Sequence, residues 1–196
     1  MSILIGGENL KEMFIGTKKV MRIYRGTELV YDNETGNWVL YDNGAVEGIA
    51  WAENKFNRLN YTAYATAKIY DERMLIQIAQ NANTASYYYN AHVATVNPIK
   101  VPASATRLNL ISNGNSANWI VDLRFGLLPS NISNSYDDTK GGQISSTISA
   151  QGAALKTHSL ILNDDVKGRN DLHIVINGRQ RCDQTRHMYI YKVWFD

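Results

Sequence analysis

What most restricts this chain is a two-residue alternation that restarts repeatedly between turn signals. In Trp119–Phe125, the side chains of Trp119, Val121, Leu123 and Phe125 share one side, and Asp122 and Arg124 share the other. In Met74–Ala79, Met74, Ile76 and Ile78 oppose Gln77; in Arg107–Ile111, Leu108 and Leu110 oppose Arg107 and Asn109. In Leu172–Ile176, Leu172, Ile174 and Ile176 go inward together and His173 faces away. Side chains alternate across an extended strand, so each run is a strand with one face to bury. Further candidate strands are Trp38–Tyr41, Tyr61–Tyr70, Tyr87–Ala94, Ser159–Leu162 and Met188–Phe195. The last is apolar on both sides, which suits a strand covered on both faces. Turn signals fall between them at Asp42-Asn43-Gly44, Asn113-Gly114-Asn115, Lys167-Gly168 and Asn177-Gly178. No heptad or long helical stripe competes. Gln143–Leu155 has the most helical potential, but Gly152 and its Ser/Thr content oppose a helix. The pattern predicts an all-β, antiparallel two-sheet jelly-roll sandwich over residues 37–196.

Residues 1–36 read differently. Lys11–Val20 (KEMFIGTKKV) and Met21–Val30 (MRIYRGTELV) form a decapeptide repeat in which Phe14 matches Tyr24 and Gly16-Thr17 matches Gly26-Thr27. Each unit is a β run, a Gly-Thr turn and a second β run, the glycine supplying the conformation a tight hairpin needs. A helix over Asn9–Phe14 is the alternative, stopped early by the flanking glycines. A repeat this small cannot bury a face by itself. It must lean on the next domain, on copies of itself or on a partner, and Met13, Ile15, Met21 and Ile23 are available to pack against copies, so self-association is expected. Asp32-Asn33-Glu34-Thr35-Gly36 marks the break to the sandwich.

Composition removes several function classes. At 44% hydrophobic and 19% charged, the chain of 196 residues is too apolar for a disordered one. A net charge of +2, without a dense Lys/Arg stripe, argues against nucleic acid. Cys182 is the sole cysteine, so no internal disulfide and no thiolate metal cluster forms. MSILIGGENL has neither the basic nor the apolar region of a signal peptide, and nowhere do 18 apolar residues run together. No signal peptide and no membrane insertion are expected.

Catalytic patterns are sparse. The acid pairs Asp137-Asp138 and Asp164-Asp165 lie in polar, turn-like contexts, and adjacent residues on a strand point to opposite faces. Neither is a ready-made dyad for glycan hydrolysis, which needs two carboxylates across a cleft. Asn163-Asp164-Asp165 offers calcium-type oxygens, but without EF-hand spacing, and no cofactor or metal is called for. His92, His158, His173 and His187 never form HxH or HExxH, and no P-loop or GxSxG is present. A non-enzymatic role is expected.

The aromatics carry more. Trp38, Trp119, Trp194, Tyr189 and Tyr191 lie in candidate strands and read as core. Three consecutive tyrosines, Tyr87, Tyr88 and Tyr89, cannot all face inward. Sugars present C–H faces for stacking and hydroxyls for planar donors and acceptors, so an outward Tyr near Asn90, His92, Asp122 or Arg124 would meet both demands. The competing reading of the tyrosines is an edge or oligomer interface. The candidate glycan set is Trp51 on a loop, Tyr87, Tyr88 and Tyr89, with Asp122, Arg124 and His173 on the polar sheet face.

The ends of the chain also carry a resemblance. IGTKKVMRIYRGTELVYD resembles short units near the start of tail and baseplate proteins of bacteriophages of Gram-positive bacteria. NWVLYDNG resembles the opening strand of the jelly roll that often follows, and MYIYKVWFD is similar to its closing strand. The resemblance implies a virion protein with a carbohydrate-binding-like domain for attachment to host surface glycan. It also implies other tail or baseplate proteins as partners and a symmetric homo-oligomer, a trimer being the expected number. The alternatives are a purely structural baseplate protein and a polysaccharide-degrading enzyme.

Overall fold

The computed structural model describes residues 4–5, 8–9, 13–15, 18–20, 22–25, 28–32, 38–44, 46, 48–56, 65–80, 88–114, 122–129, 143–144, 153–181 and 185–196. All regular structure among them is β. Three hairpins come first. β1 (Leu4–Ile5) pairs with β2 (Glu8–Asn9), β3 (Met13–Ile15) with β4 (Lys18–Val20), and β5 (Arg22–Arg25) with β6 (Glu28–Asp32). One hairpin, with the register Met13↔Val20 to Ile15↔Lys18, lies within the first repeat unit, and the second begins in the other unit and runs on to Asp32, with the register Arg22↔Asp32 to Arg25↔Glu28. Ile5↔Glu8 adds a hairpin around Gly6-Gly7 that the repeat alignment does not include. Asn9 and Met13–Ile15 are extended, which excludes a helix through Asn9–Phe14.

The remaining strands form an antiparallel two-sheet sandwich of jelly-roll type. They are β7 (Trp38–Asp42), β8 (Trp51–Phe56), β9 (Ala65–Ile69), β10 (Met74–Ile78), β11 (Tyr88–Thr95) and β12 (Arg107–Gly114). Then come β13 (Asp122–Leu128), β14 (Gln143–Ile144), β15 (Lys156–Ile161), β16 (His173–Arg181) and β17 (Arg186–Phe195). One sheet has six strands in the order β15-β12-β17-β10-β9, with β7 also paired to β17. The other has five, in the order β14-β13-β16-β11-β8. The alternating apolar sets meet between them. Leu108, Leu110, Met74, Ile76, Ile78, Met188, Ile190, Val193 and Phe195 come from the first sheet. Leu123, Phe125, Leu127, Ile174, Ile176, Ala91 and Val93 come from the second.

Four local expectations are corrected. First, Asn177-Gly178 is no turn: both residues lie within β16, paired with β11 on one side and β13 on the other. Pairing on both sides overrides a dipeptide preference. Second, Trp51 opens the edge strand β8 rather than lying on a loop. The charges in WAENKF hide that strand, but edge strands tolerate charge. Glu53 puts it to use, its Oε1 accepting from the Ile69 N–H of the other sheet at 2.8 Å. Third, Gln143-Ile144 is a short strand. Fourth, β17 is not covered on both faces. Its register with β12 jumps from Ile111↔Lys192 to Ser112↔Ile190, so Tyr191 is an extra residue. This bulge lets Met188, Ile190, Val193 and Phe195 all face inward despite their uneven spacing, leaving Tyr189 and Trp194 half-exposed.

Two turn expectations hold. Lys167-Gly168 lies in a turn with Gly168 at φ +75°. At Asp42-Asn43-Gly44, Gly44 sits at φ +147°, and a Cβ there would lie 2.6 Å from the Asp71 carbonyl oxygen. Only glycine fits that corner.

Candidate functional site

The side of the five-stranded sheet turned away from the core is built from cross-strand rows. Leu123, Phe125, Ala91, Val93 and Ile176 face the core, so their neighbours form the outward set. One row runs Arg124 (β13), Asn177 (β16), His92 (β11), Asn54 (β8). The next runs Asp122, Arg179, Asn90, Phe56, and on the other side lies Gly126, Val175, Ala94, Ala52. A polar row and a second that is polar except for Phe56 therefore adjoin an apolar one, where Ala94, Leu128 and Val175 form a small buried cluster of their own.

Burial is graded along the strands. His92 is 0% and Asn177 5% exposed, whereas Asn90, Arg124 and Arg179 are half-exposed. The Oδ1 atom of Asn177 is buried without a hydrogen-bond partner among the described residues. Leaving a buried acceptor unmade costs about 1–3 kcal/mol. The arrangement is a buried amide and imidazole floor with a rim carrying two guanidinium groups, chemistry suited to hydroxyls and other oxygen-rich ligands.

The residues singled out from the sequence fall in different places. Arg124 belongs to the central polar row, and Asp122 pairs in register with Arg179. Tyr88 pairs with Arg181, while Tyr89 is buried in the core at 4% exposure. Tyr87 lies outside the described residues. His173 lies on the outward side of β16 but is buried, with its Nδ1 2.9 Å from the Thr95 carbonyl oxygen. Trp51 packs against the core edge, its ring 6.2 Å from that of Tyr41 and its indole N–H donating to the Leu40 carbonyl at 3.2 Å. Met13 and Ile15 lie in β3 and Ile23 in β5, and Met21 lies outside the described residues. Trp119 and the pair Asp137-Asp138 also lie outside them.

Asn177 and Arg179 were missed. Reading Asn-Gly as a turn ended the strand at Ile176, although the alternation continues through Gly178. Asn90 and His92 were visible only as neighbours of the tyrosines.

Other polar groups serve the fold. In the 163–171 loop, Lys167 Nζ bonds Asp164 at 2.8 Å and Arg169 bonds both oxygens of Asp171 at 2.8 and 2.7 Å. These bonds hold both carboxyls below the usual range. Among the described residues, no group of three or more His, Cys, Asp or Glu is placed to hold a metal ion. Ser112 Oγ lies 3.0 Å from His158 Nε2, with both residues buried on the core side of β12 and β15. Burial, and then the Lys156 charge, lower the His158 pKa. The Tyr41 phenol, also buried and near Asp71, is pushed up to about 12 and donates to the Tyr70 carbonyl at 3.2 Å.

No family model and no curated relative matches the sequence. Among solved structures, the chain is similar to the family 11 carbohydrate-binding module of a cellulosomal cellulase of Clostridium thermocellum. The identity is 10%, with 82% of this chain and 94% of that one covered, at a TM-score of 0.48. A cleaved adhesin domain of Lys-gingipain from Porphyromonas gingivalis gives 10% identity, 82% and 98% coverage, and a TM-score of 0.47. A family 61 carbohydrate-binding module in complex with β-1,4-galactotriose gives 9%, 76% and 88%, and 0.44. At these values neither ligand nor activity transfers from them to this chain.

Proposed function

We propose that the chain is a non-catalytic saccharide-binding protein whose site is the outward face of the five-stranded sheet. The observation that carries this reading is the buried Asn177 Oδ1, unpartnered among the described residues, in one row with Arg124 and His92. A sugar hydroxyl donates to such an oxygen, and the half-exposed Asn90 and Arg179 supply further bonds at the rim. Tyr88, whose backbone pairs with Arg181 two positions from the Asn90–Arg179 pair, is the aromatic residue this reading tests for stacking. A site with one ring and a few hydrogen bonds reaches a Kd of about 0.1–1 mM. Several copies on one particle raise avidity by a factor of about 10²–10⁴.

The biological setting proposed is a bacteriophage tail or baseplate attached to host surface glycan, with the chain as a symmetric trimer. Its support is the sequence resemblance at both ends and the three consecutive hairpins, since a two-stranded hairpin is marginal by itself. Light scattering on the full chain checks the oligomer, a clean monomer at micromolar concentration counting against it. For the site, His92→Ala and Asn177→Ala are each expected to abolish retention on bacterial cells without lowering the melting temperature in proportion. Retention at the wild-type level by both variants would remove the site from this face.

A further inference from the structure

The face on which the saccharide reading rests carries a charge pattern that a neutral sugar does not require. The outward register positions of β13 and β16 include two arginines, Arg124 and Arg179. Arg124 pairs with Asn177, and Arg179 with Asp122, so the two arginines are diagonal neighbours on adjacent strands. Both are half-exposed at the rim, beside the buried His92 and Asn177. Guanidinium groups present paired, coplanar donors matched to a carboxylate or phosphate, and they keep their charge at any physiological pH.

We propose that this site selects acidic saccharides, with a carboxylate or phosphate of the sugar held between Arg124 and Arg179 while its hydroxyls meet Asn177 and His92. The chain as a whole is close to neutral at +2, so the selectivity is local to this rim rather than a property of overall charge.

The test is calorimetry of the full chain on paired probes: tetragalacturonate against its methyl ester, and phosphorylated mannobiose against mannobiose. The acidic member of at least one pair is expected to bind about ten-fold tighter than its neutral counterpart. Which pair shows the advantage distinguishes carboxylate from phosphate. The advantage should shrink between about 50 mM and about 500 mM NaCl. Arg124→Met and Arg179→Met should each bring the acidic member's affinity down to that of its neutral counterpart measured on the same variant, and Arg124→Lys should keep only part of the advantage, because lysine retains the charge without the fork. Should a methionine variant fail to fold, the lysine variant with its partial loss still decides. Neutral members that bind as tightly as acidic ones would overturn the acidic selectivity and leave the saccharide reading standing. An acidic preference that survives both methionine variants would overturn the assignment to Arg124 and Arg179 and likewise leave the saccharide reading standing. No binding by any of the four probes overturns both.

Discussion

On the outer face of the six-stranded sheet, the aromatic rings are already attended by this chain's own cations. The Arg73 guanidinium lies 4.3 Å from the Tyr189 ring centroid, with the His187 ring at 5.2 Å, and Lys192 Nζ lies 5.8 Å from the Trp194 ring. Lys192 also bonds Asp42 at 2.8 Å. On the outer face of the five-stranded sheet, an imidazole and an amide are buried next to a small apolar cluster, and one amide oxygen has no partner among the described residues. The first face has unsatisfied atoms of its own, the Nδ2 of the buried Asn109 and the Oδ1 of Asn113 among them, but its half-exposed rings are held by this chain's own cations. The second keeps desolvated polar groups where leucine or valine would pack more favourably, which fits retention for a ligand.

The largest effect that sharpens this contrast is in the shared core. Phe125→Ala should lower unfolding free energy by about 3–5 kcal/mol, since it opens a cavity between the sheets. Asn177→Leu, on the adjacent strand but facing outward, should stay within about 1 kcal/mol of wild type or exceed it, because it removes an unsatisfied acceptor. Equal losses in denaturant titrations would make Asn177 an ordinary structural residue and erase the contrast. Ser112→Ala should cost about 1–3 kcal/mol by leaving His158 Nε2 buried without the hydroxyl. Saccharide binding by that variant should be intact, since Ser112 and His158 lie on the core side of the six-stranded sheet.

Most of the fold was legible because one-sided alternation is a direct consequence of two sheets closing on one core. Leu108, Leu110, Met74, Ile76, Ile78, Ile174 and Ile176 all went where their spacing put them. What stayed hidden was non-local. The bulge at Tyr191 depends on the register with β12, and it turned Tyr189 and Trp194 outward. The interior placement of Asn177-Gly178 depends on partners 50 to 90 positions away in the chain, β13 and β11. The site was half-legible for the same reason. Arg124 follows from alternation within its own strand, but its row with Asn177 and His92 exists only once three distant strands are aligned.

Titration gives a smaller effect on the six-stranded sheet. Burial first, then a neighbouring cation, lowers the pKa of both His158 and His187, the cations being Lys156 and Arg73. The unfolded chain takes up these protons at the ordinary value of about 6.5, while the folded chain does not until lower pH. Stability is thus fully present above about pH 6.5 and declines as pH falls below it. Urea midpoints measured across that range should show the decline, and His158→Gln should reduce it; a midpoint that rises on acidification would contradict the sign. The smallest change is expected at the exposed Lys192–Asp42 pair, where Lys192→Met should alter stability by about 0–1 kcal/mol and leave binding unchanged.

The most direct measurement sets the two outer faces against each other: retention on host cells of wild type, Asn177→Leu and Trp194→Ala, with each variant's melting curve recorded alongside. The five-stranded face is predicted to carry binding, so Asn177→Leu should lose retention while folded, and Trp194→Ala should keep it. Loss on Trp194→Ala with full retention by Asn177→Leu would place the saccharide site on the other sheet and contradict the account.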